Sequence, residues 1–185
     1  IVDKVRSLGS KGFVHTGAAS QLGQMLVKMC APAGAAAGVT IINVVRREEQ
    51  GKLLRSLGAA YVVVTGDRAE AEWKGELKAL VAAQKVSVAF DCVAGEMTEA
   101  LVDVMPKRGT VLVYGRLSGK PAQVQPLDLI YFGKKVEGFL LAGTNENCWL
   151  RLGGSNPATM VGTLGKLNSA SKAVLGALGE GGWAE

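Results

Sequence analysis

GFVHTGAASQLGQMLVKMCA, residues Gly12–Ala31, is the stretch that decides the fold. Gly12–Gly17 is a short apolar run suited to a buried strand, while Ser20–Ala31 places Leu22, Met25, Leu26 and Met29 on one helical face, a stripe that reads as core. Only small residues separate the two. The chain must therefore pass from strand to helix through a tight turn, which is how a unit of parallel strands and crossover helices begins.

The same alternation continues along the chain. Val39–Val45 is a second strand, followed by a helix from Glu48 to Leu57 that Gly58 closes, glycine being suited to the left-handed position after a helix end. Tyr61–Thr65 is a third strand. The run AEAEWKGELKALVAAQ then turns Trp73, Leu77, Leu80 and Val81 inward as a helix. Val86–Val93, a helix near Thr98–Met105 stopped by Pro106, Gly109–Gly115 and Lys134–Gly143 complete the series. Six strands with helices between them predict an α/β fold, a doubly wound parallel sheet of the Rossmann type, over residues 1–143. Residues 144–185 read as a helical extension, with patterns at Pro157–Leu167 and Ser169–Leu178. The small-residue segment Ala31–Gly38 reads as a flexible surface loop without chemistry.

Composition narrows the function classes. With 185 residues, 48% of them hydrophobic and 20% charged, the chain can bury one sizeable core. The net charge of +5 is scattered rather than gathered in a tract, and nucleic acid is not the expected partner. Cys30, Cys92 and Cys148 lie far apart and His15 is the single histidine, so neither a disulfide framework nor a metal site is expected. A reduced intracellular setting fits, cytoplasmic rather than mitochondrial. No apolar run reaches the roughly 18 to 20 residues of a membrane span.

Ligands of open α/β sheets bind beyond the C-terminal strand ends, so the candidates are the residues just after each strand. In the first turn Ala18 and Ser20 stand where a GxGxxG motif has its first two glycines, and Gly23 matches the third. Such a turn is either a phosphate cradle built on backbone N–H groups and a helix N-terminus or simply a tight connection. The second strand ends in Arg46 and Arg47, followed by Glu48 and Glu49. Cations at a helix N-terminus oppose its dipole by a few tenths to about 1 kcal/mol, so the arginines need another reason to be there. One reading pairs them with the adjacent glutamates. The other gives them the 2′-phosphate of a dinucleotide, for which the guanidinium fork is well shaped. His15 reads as a hydrogen-bonded core histidine; Asp91 and Cys92, at the end of the fourth strand, are placed to touch a ligand, the other reading of the cysteine being inert packing.

Taken together, HTGAASQLGQMLVKM, TIINVVRREEQ, KLLRSLGAAYVV, VAFDCVAGE, LVDVMPKRGTVLVYGRLSG and LIYFGKKVEGFLL resemble the nucleotide-binding domain of the zinc-independent medium-chain dehydrogenase/reductases, in particular NADPH:quinone oxidoreductases and trans-2-enoyl thioester reductases. The resemblance runs in order from about Gly12 to Leu141. It implies a cofactor half separated from a GroES-like catalytic domain, entered through a helix at Ile1–Leu8. It further implies NADPH as cofactor, no metal, and hydride transfer to a small electrophilic acceptor, a quinone or enone; the alternatives are an enoyl thioester reductase or a non-catalytic NADPH-binding module. By the same resemblance the pyrophosphate lies on Ala18, Ser20, Gln21 and Leu22, the 2′-phosphate on Arg46 and Arg47, and Thr65 stands where relatives often have a tyrosine. Cys92 and Val93 border the ribose, Tyr114, Gly115 and Arg116 the nicotinamide half, and Leu140 and Leu141 the carboxamide. A homodimer through the last strand is implied as well. The catalytic residues are expected outside this chain.

Overall fold

The computed structural model describes residues 1–143 and 148–151, with side chains through Leu140. Six parallel strands form one sheet: β1 (Gly12–Thr16), β2 (Thr40–Val45), β3 (Tyr61–Val64), β4 (Val88–Asp91), β5 (Thr110–Val113) and β6 (Lys135–Gly138). Their spatial order is β3-β2-β1-β4-β5-β6, the doubly wound order of a Rossmann sheet. Strand order reverses between β1 and β4, and a crevice opens there.

Both faces of the sheet are covered. Every residue of β1 is buried, as expected of a central strand that needs apolar side chains in both directions. On one face Phe13, Ile41, Val45 and Phe90 pack with helices α1 (Val2–Ser7), α2 (Gln21–Cys30) and α3 (Glu48–Ser56). On the other, Val14, Ile42, Val44 and Val63 pack with α4 (Glu70–Ala83) and α5 (Glu96–Val104). Trp73, Leu77 and Val81 recur at every fourth position and form the buried stripe of α4.

Several sequence expectations are corrected. The buried side of α2 is Gly23, Leu26 and Val27, whereas Leu22 is exposed. The reason is steric: Gly23 must face the turn, because a Cβ there would lie 2.0 Å from the Ala18 carbonyl oxygen, and this contact sets the rotation of the helix. The fourth crossover helix starts at Glu96, two residues before the expected Thr98. Lys134–Gly143 is not one strand. After β6, Phe139 N–H still donates to Val113 O at 2.8 Å, but β5 ends at Val113, and Leu140–Gly143 leaves the sheet as β7. It pairs in parallel with β8 (Cys148–Arg151), a strand inside the segment read as a helical extension. The helical patterns at 157–167 and 169–178 lie outside the described residues. Ala31–Gly38 folds into successive turns rather than a loose loop, with Gly34 N–H on Ala31 O, Ala36 N–H on Met29 O and Ala36 itself buried.

A helix that sequence periodicity missed, α6 (Pro126–Phe132), joins β5 to β6 and buries none of its residues. Before each strand of the sheet the chain passes through a left-handed residue: Gly9, Gly38, Gly58 and Gly133 before β1, β2, β3 and β6, but Lys85 before β4 and Arg108 before β5.

Candidate functional site

Beyond the C-terminal ends of β1, β2 and β4 lies a cleft of about 570 Å³, lined by Thr16, Gly17 and Ser20 from the first strand and turn, by Arg46, Gln50 and Thr65 at the β2 and β3 tips, and by Val93, Met97, Leu117 and Ser118 opposite. Ser20 caps α2, its hydroxyl accepting from Gly23 N–H at 3.3 Å. Ala18 is fully buried under the turn and supplies backbone only. Gln21 and Leu22 begin α2 with exposed side chains.

At the β2 tip the backbone is held from two sides. Gln50 Oε1 accepts from the N–H groups of Arg46 (3.2 Å) and Arg47 (3.0 Å), and Gly66 N–H donates to Arg46 O at 2.8 Å. Gly66 is required by closeness, since a Cβ there would stand 2.1 Å from that oxygen. The guanidinium groups, by contrast, are unengaged: among the described residues neither Arg46 nor Arg47 makes an ion pair or side-chain hydrogen bond. Glu48 is taken by Arg55 at 2.8 Å, so it is not the partner of the adjacent arginines. Arg46 lines the cleft, and Arg47 stands exposed just outside it. Thr65 also lines the cleft, with its N–H on Val45 O at 2.9 Å.

Polar bonds under the cleft stitch β1 to β4 and β5. Thr16 Oγ1 donates to Asp91 Oδ1 at 3.0 Å and accepts from Cys92 N–H at 2.9 Å. Cys92 is buried beneath the floor, and its sulfur occupies the space a Cβ on Gly17 would need. Gly115 lies on the Cys92 backbone, where a Cβ would meet the carbonyl oxygen at 2.8 Å. Tyr114 turns away from the cleft and shares a 2.7 Å hydrogen bond with His15 Nε2. Arg116 is exposed. Leu140 belongs to β7, which pairs with β8 rather than with the six-stranded sheet, and it does not line the cleft; the Leu141 side chain lies outside the described residues. Gln50, Met97, Leu117 and Ser118 were missed in the sequence. The signal for Met97 was its place in the first turn of a helix that follows a strand tip.

His15 is the core histidine expected. Burial pushes its pKa down from 6.5 to about 4, so the folded protein keeps it neutral while the unfolded chain takes up a proton near pH 6.5. Stability from this group is complete above the unfolded value and is lost as pH falls toward 4, by on the order of 3 kcal/mol. NMR titration of the single imidazole checks this. A midpoint near pH 6.5 in the folded protein would refute the burial argument.

Among the described residues no helix is long and apolar enough to cross a membrane, and no group of three His, Cys, Asp or Glu could hold a metal ion. A family model described as zinc-binding dehydrogenase matches residues 22–152. The chain is 31% identical over 127 residues to the mitochondrial enoyl-[acyl-carrier-protein] reductase of Homo sapiens, a match covering 66% of this chain and 32% of that protein. It is 34% identical over 106 residues to the Xenopus tropicalis protein of the same name, covering 55% and 29%. The chain thus spans about a third of the length of these curated relatives. In fold it is similar to a Mesorhizobium loti protein assigned as an NADPH:quinone reductase, with a TM-score of 0.65, 28% identity and coverage of 95% of this chain and 44% of that one. Relatives named as mitochondrial remove the support for a cytoplasmic over a mitochondrial location.

Proposed function

Because the chain belongs to the zinc-binding dehydrogenase family, we propose that its cleft holds NADPH and that it is the cofactor-binding part of an oxidoreductase acting on a conjugated electrophile. The observation that carries the reading is the pair of unengaged guanidinium groups at the β2 tip, beside a cleft whose opposite wall is Val93, Met97 and Leu117. The chain's own groups fit the cofactor. Ser20 and the first turn of α2 offer donors to a pyrophosphate, with Gln21 and Leu22 following, and the small residues Gly17, Ala18 and Ala19 allow close approach. Arg46 and Arg47 bind the 2′-phosphate, Arg46 from the wall and Arg47 from the rim, with Thr65 beside them. Val93 borders the cofactor ribose with Cys92 in the floor beneath it, and Tyr114, Gly115, Arg116, Leu140 and Leu141 belong to the nicotinamide half, Tyr114 through its backbone.

NADPH, when bound, supplies a hydride to the β-carbon of the acceptor, and a proton at the α-position completes the reduction. This chain binds and orients the cofactor and shields one side of it from water. Despite the family's name, no group of three His, Cys, Asp or Glu among the described residues could hold a metal ion, so the roles given to this chain use its own side chains and backbone. The curated relatives favour a 2-enoyl thioester as acceptor, and the Mesorhizobium loti protein a quinone. Side-by-side rates with a crotonyl thioester and a quinone on the full-length protein separate the two. A homodimer through β6 is part of the proposal, since β6 is an edge of the sheet with unpaired backbone groups on one side.

The direct test is fluorescence titration of the full-length protein with NADPH and NADH. NADPH is expected to bind at least about tenfold more tightly, the factor that 1.4 kcal/mol supplies. Equal affinities, or no binding by folded protein, would end this reading.

A further inference from the structure

The helix after β2 starts on a residue that cannot cap it. Arg47 stands at the N-cap of α3 with an extended backbone, φ −117° and ψ 147°, and its side chain makes no cap hydrogen bond. Serine, threonine, aspartate and asparagine prevail at N-caps because they accept from the free N–H groups of the first turn. A guanidinium has donors only, so neither Arg46 nor Arg47 can do this.

What holds the entry instead is Gln50, the third residue of the helix. Its Oε1 accepts from the N–H groups of both Arg46 (3.2 Å) and Arg47 (3.0 Å), the reciprocal half of a capping box. With Gly66 N–H on Arg46 O at 2.8 Å, both backbone polar groups of Arg46 are engaged. An extended backbone sends successive side chains to opposite sides, and here Arg46 lines the cleft while Arg47 stands outside it. The aim of the two cations is therefore set by a side chain that bonds to neither guanidinium.

The residue type matters as much as the place. Capping boxes use glutamate or glutamine at this position, and the helix dipole favours the acid. A carboxylate at position 50 would make the same two backbone bonds, yet it would bring a negative charge into the cleft wall that Gln50 shares with Arg46. The amide holds the tip without neutralising the cations.

We propose that Gln50 is the positioning residue of the arginine pair: a neutral acceptor that fixes the backbone of Arg46 and Arg47 and leaves both guanidinium groups free for an anion. The inference rests on the reading of that pair as the 2′-phosphate site. It makes the preference for NADPH over NADH depend on a side chain that carries no charge.

The test uses Gln50→Glu and Gln50→Ala on the full-length protein, each titrated with NADPH and NADH by fluorescence, with hydrogen exchange followed at the Arg46 and Arg47 amides. Gln50→Glu is expected to keep the amide protection and the NADH affinity while NADPH weakens about tenfold through like-charge repulsion. Gln50→Ala is expected to speed the exchange and to weaken NADPH about fivefold, again sparing NADH. The alanine change is then repeated in a background where Arg46 and Arg47 are already alanine, and there NADPH affinity should change by less than about twofold, because nothing is left to position. A loss in that background as large as in the wild-type one would mean that Gln50 touches the cofactor itself, and would overturn the positioning role. Equal weakening of NADPH and NADH, or unchanged NADPH binding in both single variants, would overturn it too. A wild-type protein that binds the two cofactors equally, or binds neither, would instead remove the 2′-phosphate reading, and the positioning role with it.

Discussion

Replacing Arg46 and Arg47 together with alanine should weaken NADPH by about 1–3 kcal/mol, the range for hydrogen bonds to charged groups, and leave NADH nearly unchanged. Since 1.4 kcal/mol is a factor of ten, the dissociation constant for NADPH rises by roughly 5- to 150-fold. The substitution is clean because the tip keeps its shape through backbone contacts: Gln50 accepts from both N–H groups and Gly66 donates to Arg46 O, none of which needs a guanidinium. Removing two cations from the start of α3 also relieves an unfavourable interaction with the helix dipole, so the melting temperature should stay level or rise slightly. Arg46→Ala alone should account for most of the change, because Arg46 lines the cleft and Arg47 does not. Fluorescence titration measures it. Parallel losses for NADPH and NADH would mean that the arginines do not read the 2′-phosphate.

The second large effect is expected at Gly23. An added methyl would lie 2.0 Å from Ala18 O, 2.5 Å from its carbonyl carbon and 2.7 Å from its Cα, all backbone atoms that no rotamer change can move. Gly23→Ala must push α2 off the turn, and overpacking of this kind costs about 1–3 kcal/mol or more. The Ser20 cap is lost with it, so NADPH affinity should fall at least about tenfold. Gly75→Ala supplies the contrast. Gly75 is exposed on α4 with no atom within 4 Å of the added methyl, and alanine there should stabilise by up to about 1 kcal/mol through helix propensity. Urea unfolding of the two variants should move in opposite directions. If Gly23→Ala were as stable as wild type, the close turn-to-helix contact would not be what orients α2.

The strands were legible because their apolar runs are short, β-branched and punctuated, and a doubly wound order follows once they alternate with helices. Boundaries were less so. Phe139 looks like any strand residue in sequence, and only the end of β5 at Val113 explains why the sheet stops there. The face of α2 was misread because Leu and Met at positions 22, 25 and 29 outweigh a glycine in any hydrophobic pattern, although the glycine's backbone contact sets the rotation. In the site, Arg46, Thr65 and Val93 could be found because they follow strands directly. Leu117 and Ser118 could not, since their position depends on hydrogen bonds to the turn after β4, a contact between segments more than twenty residues apart. Asp91 was visible only as a residue near a ligand edge. It is fully buried, held by five hydrogen bonds that sequence spacing does not encode.

The two left-handed positions that hold Lys85 and Arg108 instead of glycine have an electrostatic consequence. Both follow helices, α4 and α5, whose negative ends point away from the cleft, and a cation there offsets that partial charge. At the other end α3, α4 and α5 carry their own acids in the first turn, Glu48 and Glu49, Glu70 and Glu72, Glu96 and Glu99, whereas α2 has none. The one helix terminus left without a neutralising side chain is therefore the one at the cleft, so its sensitivity to an anion, and to the ionic strength that screens one, is local to that turn.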